Sequence, residues 1–215
     1  MARKRSGSPA AAHSRQADGQ AAEANGRQLE ILEAAAEIFN QKGYHNTSIQ
    51  DIADSVGILK GSLYYYISGK EDLLHQIFEQ VHQGALEAVK GVFESTDPAD
   101  QRLHDLIVRQ TVFYCRYHVW IGVFLHEYKS VAGPMRSRYL KMRNEYELNV
   151  RSIIAAGQAE GLFRPELDVP LTTRALLGMT NWLYTWYSPS GRQKPEEIGE
   201  AYADLALQSL VVRRS

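Results

Sequence analysis

Apolar residues recur at three- and four-residue steps along most of the chain, the period of helices buried on one face. Leu29, Leu32, Ala36 and Phe39 mark a first helix over 27–42, which Gly43 stops. Ile49, Ile52, Ala53 and Val56 form the stripe of a short second helix. Thr47 is its expected N-cap, with Gln50 at the capping-box spacing, and Gly57 ends it where a tight turn needs a residue without Cβ. A third helix over 59–66 buries Leu63 and turns Lys60, Ser62, Tyr64 and Tyr65 outward, leaving Tyr66 to the core. The fourth begins at Lys70, capped by Ser68 or Gly69, and runs through Leu74, Ile77, Val81 and Leu86 toward Phe93.

Beyond Asp97-Pro98 the same period continues over 103–128, broken near His118. Gly133-Pro134 opens a long helix carrying Tyr139, Met142, Tyr146, Val150 and Ile153, which Gly161 closes. A loop over 162–170 holds two prolines, a helix follows over 171–187, and a last one covers 195–212. No period-2 run with strand composition interrupts this, so the fold class is all-α with about nine helices. Residues 1–26, rich in Ala, Ser, Gly and Gln and without apolar period, read as a disordered basic arm.

The segment 47–72 says most about function. Two short helices about a glycine turn, the second exposed and bearing hydroxyls and one lysine, suit a helix-turn-helix with its recognition element. Thr47, Ile52-Ala53, Gly57, Lys60-Gly61, Leu63-Tyr64-Tyr65 and Lys70-Glu71 stand in an order that resembles the DNA-binding signature of the TetR family of bacterial repressors. The resemblance covers about 29–74. It departs at Leu59, where the family has a small hydroxyl residue, and at Ile67, where it has Phe. Ile67 is a core-for-core exchange. Leu59 removes a cap from the recognition helix.

On this reading 27–73 is the DNA-binding domain and 74–213 a larger helical domain for ligand binding and dimerisation. Thr47 and Ser48 at a helix start would hold one phosphate of a double-stranded operator, and Lys70 at the next helix start a second. Tyr64 and Tyr65 would donate to backbone oxygens. Leu59, Lys60, Gly61 and Ser62 would face the groove floor, Leu59 against a thymine methyl and Lys60 toward guanine. Arg3, Lys4, Arg5 and Arg15 could reach a groove as a basic arm does, although a solvated tail is the blander reading.

Charge narrows the picture. The chain has 24 Lys and Arg against 25 Asp and Glu, a net −1, which excludes a protein that coats nucleic acid through overall basicity. A local footprint and a second task elsewhere fit better. A single cysteine, Cys115, leaves no intramolecular disulfide and suits a reducing compartment. With no membrane-length apolar run and no apolar signal-peptide core, the expected location is the cytoplasm.

The second domain carries aromatics in two clusters, Phe113 to Tyr128 and Trp182 to Tyr187, with polar groups inside them. Tyr114, Tyr117, His118, Phe124, His126, Trp182 and Trp186 are the candidate wall of an apolar ligand cavity. For each one alone, ordinary bundle core is the better reading, and the cavity rests on the set. A metal site at His118, His126 and Glu127 matches no established zinc spacing. No GxSxG, GxGxxG, P-loop or HExxH is present, so an enzyme is not expected, nor a cofactor. The run Gly161 to Asp168, with Trp186-Tyr187 and Pro189-Ser190-Gly191, is similar to a branch of the family governing lipid, acyl-CoA or steroid catabolism. The family resemblance implies a homodimer on a palindromic operator, released by a small apolar or acyl-CoA-like effector. Leu176, Met179, Leu183 and Trp186 with Ile198, Leu205 and Val212 would form the dimer stripes of the last two helices, unless they pack on the chain's own core. Control by a protein partner or a metal ion instead of an organic ligand is the alternative.

Overall fold

A computed structural model describes residues 9–212, with side chains from Asn25 onward. Ten α-helices follow one another: α1 Pro9–Lys42, α2 Ile49–Ser55, α3 Lys60–Leu63, α4 Lys70–Ala88, α5 Ala99–Arg116, α6 His118–His126, α7 Gly133–Ala159, α8 Val169–Asn181, α9 Leu183–Trp186 and α10 Pro195–Leu210. A 3-10 turn, Glu127–Lys129, closes α6. Among the described residues the extended pairing is one antiparallel bridge between Phe163 and Val211.

The helices depart from the sequence reading in identifiable ways. The backbone of α1 is helical back to Pro9, ahead of the start that apolar periodicity predicts at Arg27. Alanine and glutamine favour helix without needing a buried stripe, which a reading of periodicity alone misses. Arg3, Lys4 and Arg5 lie outside the described residues. The single helix expected over 171–187 is two, parted at Trp182. Thr180 donates its hydroxyl back to the carbonyls of Leu176 and Leu177 at 3.4 and 3.2 Å, a contact that bends helices. The recognition helix is shorter than predicted: α3 ends at Leu63, and 64–66 continue as turns.

Two packed cores hold the chain together. In the first, Leu32 and Phe39 of α1, Ile52 of α2 and Leu63 of α3 meet Leu74, Ile77 and Phe78 of α4, and this cluster continues into Ile121 and Phe124 of α6. In the second, Val89 and Val92, just past α4, pack with Leu103 and Ile107 of α5, Ile153 of α7, and Ala206 and Leu210 of α10. Each fully buried side chain of this size contributes ~1.5–3 kcal/mol relative to exposure. The helix-turn-helix therefore shares one core with helices of the larger domain. The seam between them includes a close approach of α1 and α6, where a Cβ on Gly122 would lie 2.7 Å from Asn40 Oδ1.

Candidate functional site

The helix-turn-helix is built around a cap one residue later than the spacing predicts. Ser48 caps α2: its hydroxyl accepts the Asp51 amide at 3.1 Å, and the Asp51 carboxylate accepts the Ser48 amide at 2.8 Å. Thr47 is buried, and its hydroxyl donates to the Gly43 carbonyl at 2.8 Å, closing the turn after α1. Thr47 is thus neither the cap nor an available phosphate donor through its side chain. Gln50 takes no part in the capping box and donates to Asp54. The Ser48 hydroxyl, then Lys42 at 2.9 Å, hold the Asp51 carboxyl well below the usual carboxylate range. At the far end Gly57, with φ of +66°, makes the turn that few other residues tolerate. Arg27 of α1 donates to the Val56 carbonyl at 2.7 Å and ties the end of α2 to the first helix.

Lys70 differs from its expected place as a free phosphate ligand. Its ammonium donates to the carbonyls of Tyr44 and Thr47, each at 2.7 Å, and stands 4.4 Å from the centre of the Tyr44 ring. The positive charge is engaged with the α1–α2 turn.

Beyond these internal contacts an exposed group remains. Leu59 caps α3 without a side-chain hydrogen bond and is 79% exposed; Tyr65 is 89% exposed. Lys60, Gly61 and Tyr64 are exposed beside them, and Ser62 is half-buried. Tyr66 packs against the first core, as its phase on the helix predicts. The surface that results is one short helix with its two flanks, presenting a cation, an apolar side chain and two phenols, a mixture chemically able to meet base edges and phosphate oxygens.

Within the larger helical part, α4, α5, α6, α7 and α8 line a half-open cavity of about 300 Å³. Val81, His82 and Ala85 line it from α4, Tyr114 from α5, Phe124 and Leu125 from α6, and Tyr139 and Tyr146 from α7; Leu177 and Asn181 complete the wall from α8. Exposed Arg143 and Arg174 stand at its rim with Glu147. Burial pushes the phenols of Tyr114 and Tyr146 well up and that of Tyr139 up to about 12, so all three are neutral hydrogen-bonding groups at physiological pH. Burial also lowers the pKa of His82, which favours its neutral form. A buried polar thread fixes one wall. Tyr146 Oη donates to Gln110 Oε1 at 2.9 Å, and Gln110 Nε2 donates to Thr180 Oγ1 at 2.9 Å. The cavity is largely apolar with a few placed polar atoms, at the small end of ligand sites.

The seven aromatic and histidine candidates divide. Tyr114 and Phe124 line this cavity. Tyr117 and His118 line a separate, wider groove of about 830 Å³ between α1, α2 and the α4–α6 helices. His126 is exposed with its ring against Tyr184, and Trp182 and Trp186 are exposed on the outer face of α8 and α9. Helical spacing places residues on a face without saying whether that face meets a cavity, a core or solvent. Sequence reasoning misses Tyr139 and Tyr146 as wall residues, and their seven-residue separation on α7 is the signal that points to them. The three residues weighed for a metal point to different partners: His118 to the Cys115 carbonyl, His126 to Tyr184, and Glu127 to the Tyr44 amide. Cys115 is buried, and burial pushes its thiol up to about 11, which leaves it a poor nucleophile.

Comparison with known proteins adds to this geometry. A family model described as "Bacterial regulatory proteins, tetR family" matches residues 31–77, and "Tetracyclin repressor-like, C-terminal domain" matches 96–210. The HTH-type transcriptional repressor KstR2 of Mycobacterium tuberculosis is 29% identical over 188 residues, spanning 87% of this chain and 94% of its own. The solved structure of that ketosteroid transcriptional regulator aligns with a TM-score of 0.83 at 27% identity, over 87% of this chain and 96% of its own. PfmR of Thermus thermophilus aligns with a TM-score of 0.76 at 34% identity, over 86% and 99%. AibR, solved in complex with isovaleryl coenzyme A and operator DNA, aligns with a TM-score of 0.75 at 27% identity, over 83% and 97%.

Proposed function

Because this chain belongs to the TetR family of bacterial transcriptional regulators, and so is a DNA-binding regulator and not an enzyme, we propose that it represses transcription as a homodimer on a palindromic operator. A small apolar or acyl-CoA-like effector entering the α4–α8 cavity releases it. The observation that carries this reading is the reach of α4. One end of that helix, at Lys70, grips the helix-turn-helix, and the other contributes Val81, His82 and Ala85 to the cavity wall. A ligand that favours one position of α4 therefore favours one position of the recognition helix.

The cavity supports the ligand class. At about 300 Å³ it has room for an acyl group but not for a whole coenzyme A, whose phosphates would remain outside beside Arg143 and Arg174. AibR, whose complex holds isovaleryl coenzyme A and operator DNA, gives a precedent for the pairing.

The dimer reading rests on the outer faces of α8 and α10. Leu171 and Trp182 on one, and Leu205 with Val212 beyond the other, are large apolar side chains left in solvent, with Trp186 next to them. Two such faces from two subunits would form a four-helix contact. Leu183 and Ile198, expected in that stripe, are instead buried in the chain's own core. That face is also where a protein partner would bind if the chain were monomeric.

The test combines native mass spectrometry of the purified protein with operator titrations in isovaleryl coenzyme A and longer acyl coenzymes A. A retained ligand, or an acyl coenzyme A that lowers operator affinity of a dimer, supports the proposal. A monomer indifferent to every acyl coenzyme A sinks it.

A further inference from the structure

The α1–α2 turn is held from two directions. From α4, Lys70 donates to its carbonyls of Tyr44 and Thr47. From the other side, Glu127, the first residue after α6, accepts the Tyr44 amide on Oε1 at 3.0 Å. Its second oxygen accepts the Ser130 hydroxyl at 2.5 Å, so the carboxylate is fixed in orientation. The Tyr44 ring packs edge-on against Phe39 at 5.3 Å and anchors the turn to the shared core. This turn closes at the Thr47 amide, and the next residue, Ser48, caps α2 together with Asp51.

α6 is also a wall of the cavity, through Phe124 and Leu125, three and two residues before Glu127. Within the same helix Gly122 sits close against Asn40 of α1. A displacement of α6 caused by an occupant of the cavity thus meets the DNA-binding unit twice, at Asn40 and at the Tyr44 amide. Neither contact passes through α4.

We propose that Glu127 is a positioning residue for operator binding, transmitting the state of the cavity to the α1–α2 turn along a route parallel to α4. This rests on the cavity being the regulatory site. The carboxylate holds the Tyr44 N–H that opens the turn, four residues before the Ser48 cap, so moving Glu127 shifts the turn that leads into α2 and with it the seat of α3. Packed interfaces of this kind shift between discrete arrangements, which lets a small displacement be felt at a distance.

The experiment uses the full-length protein with Glu127→Ala and Glu127→Gln. Gln keeps an oxygen able to accept the Tyr44 amide; Ala does not. Each is combined with Ala85→Leu, which fills part of the cavity from α4 in place of a ligand whose identity is not needed. Operator affinity is measured for all members, and hydrogen exchange is followed over 40–52. The expected result is that Glu127→Ala speeds exchange at Tyr44 and reduces the effect of Ala85→Leu on operator affinity by roughly fivefold or more, the lower edge of ordinary coupling factors. Glu127→Gln should restore the coupling. If the effects of Ala85→Leu and Glu127→Ala on operator affinity simply multiply, Glu127 is a scaffold residue and the proposal is overturned. The same follows if Ala85→Leu changes operator affinity equally in all three Glu127 backgrounds, or in none. Indifference of the wild-type protein to acyl coenzymes A would count against the effector reading alone, since the cycle contains no ligand.

Discussion

Lys70 and Thr47 are joined by a hydrogen bond of 2.7 Å from the ammonium to the main-chain carbonyl, and this contact changes what Lys70 is for. The lysine at the start of α4 closes the α1–α2 turn onto the helix that carries the cavity. Lys70→Ala should destabilise the fold by about 1–2 kcal/mol, the order expected for charged hydrogen bonds that are partly solvent-accessible. Specific operator binding should weaken with it. The slope of log affinity against log salt should stay the same, because the ammonium is engaged internally. A slope lowered by about one unit would return Lys70 to the phosphates.

Leu59 stands at the N-cap of α3 with no hydrogen bond to offer and 79% of its surface in solvent. Leu59→Ser should stabilise the helix start by roughly 0.5–1 kcal/mol. It should also change base preference at one position per half-site, by ~1–3 kcal/mol, through loss of an apolar contact with a thymine methyl. Operator selection with both proteins decides: identical motifs would reduce Leu59 to a packing residue.

Tyr114 lines the cavity from α5 as a buried neutral phenol. Tyr114→Phe should leave the fold and effector-free operator affinity unchanged while lowering the affinity for acyl coenzymes A about 2- to 10-fold, the worth of one neutral hydrogen bond. Calorimetric titration would show it. Weaker operator binding with unaltered effector affinity would place Tyr114 in the scaffold.

Trp182 is 59% exposed and lies outside the cavity wall. Trp182→Ala should weaken dimerisation by roughly 2 kcal/mol or more, as for a central aromatic anchor. Sedimentation at decreasing concentration should reveal monomers that bind operator poorly, with effector affinity per subunit retained. An unchanged dimer would move the interface elsewhere.

Asp51 is held below the usual carboxylate range by Ser48 and Lys42. A carboxyl depressed in the folded state stabilises the fold above its unfolded pKa of about 3.9. That contribution disappears as pH falls through the lower folded value. Asp51→Asn should therefore melt below the wild-type protein at neutral pH, and the gap should close progressively as pH drops under about 4. A gap of constant size across that range would show that the charge of Asp51 does not matter.

Much was legible before folding. The 3.6-residue recurrence of apolar positions specified helices, because a helix must bury one face, and the order from Thr47 to Glu71 specified the helix-turn-helix, because its turns and core positions accept few residue types. Helix phase turned Lys60, Ser62, Tyr64 and Tyr65 away from Leu63; Lys60, Tyr64 and Tyr65 are exposed, and Ser62 is half-buried. Tertiary structure decided the rest. Thr47 or Ser48 could each cap α2, and the choice depended on where the Gly43 carbonyl came to lie. A lysine at a helix start can face solvent or fold back, and the carbonyls that capture Lys70 belong to residues 44–47, more than twenty positions away. Aromatic spacing on α5–α9 was the same whether the face met a void, a core or water, so Tyr114 and Trp182 could be separated only once the helices had packed. Glu127 and Tyr44 lie 83 positions apart, and nothing local in either stretch signals their contact. Periodicity is a property of one helix at a time; cavities, clasps and free surfaces belong to the spaces between helices, which are set only when the chain closes on itself.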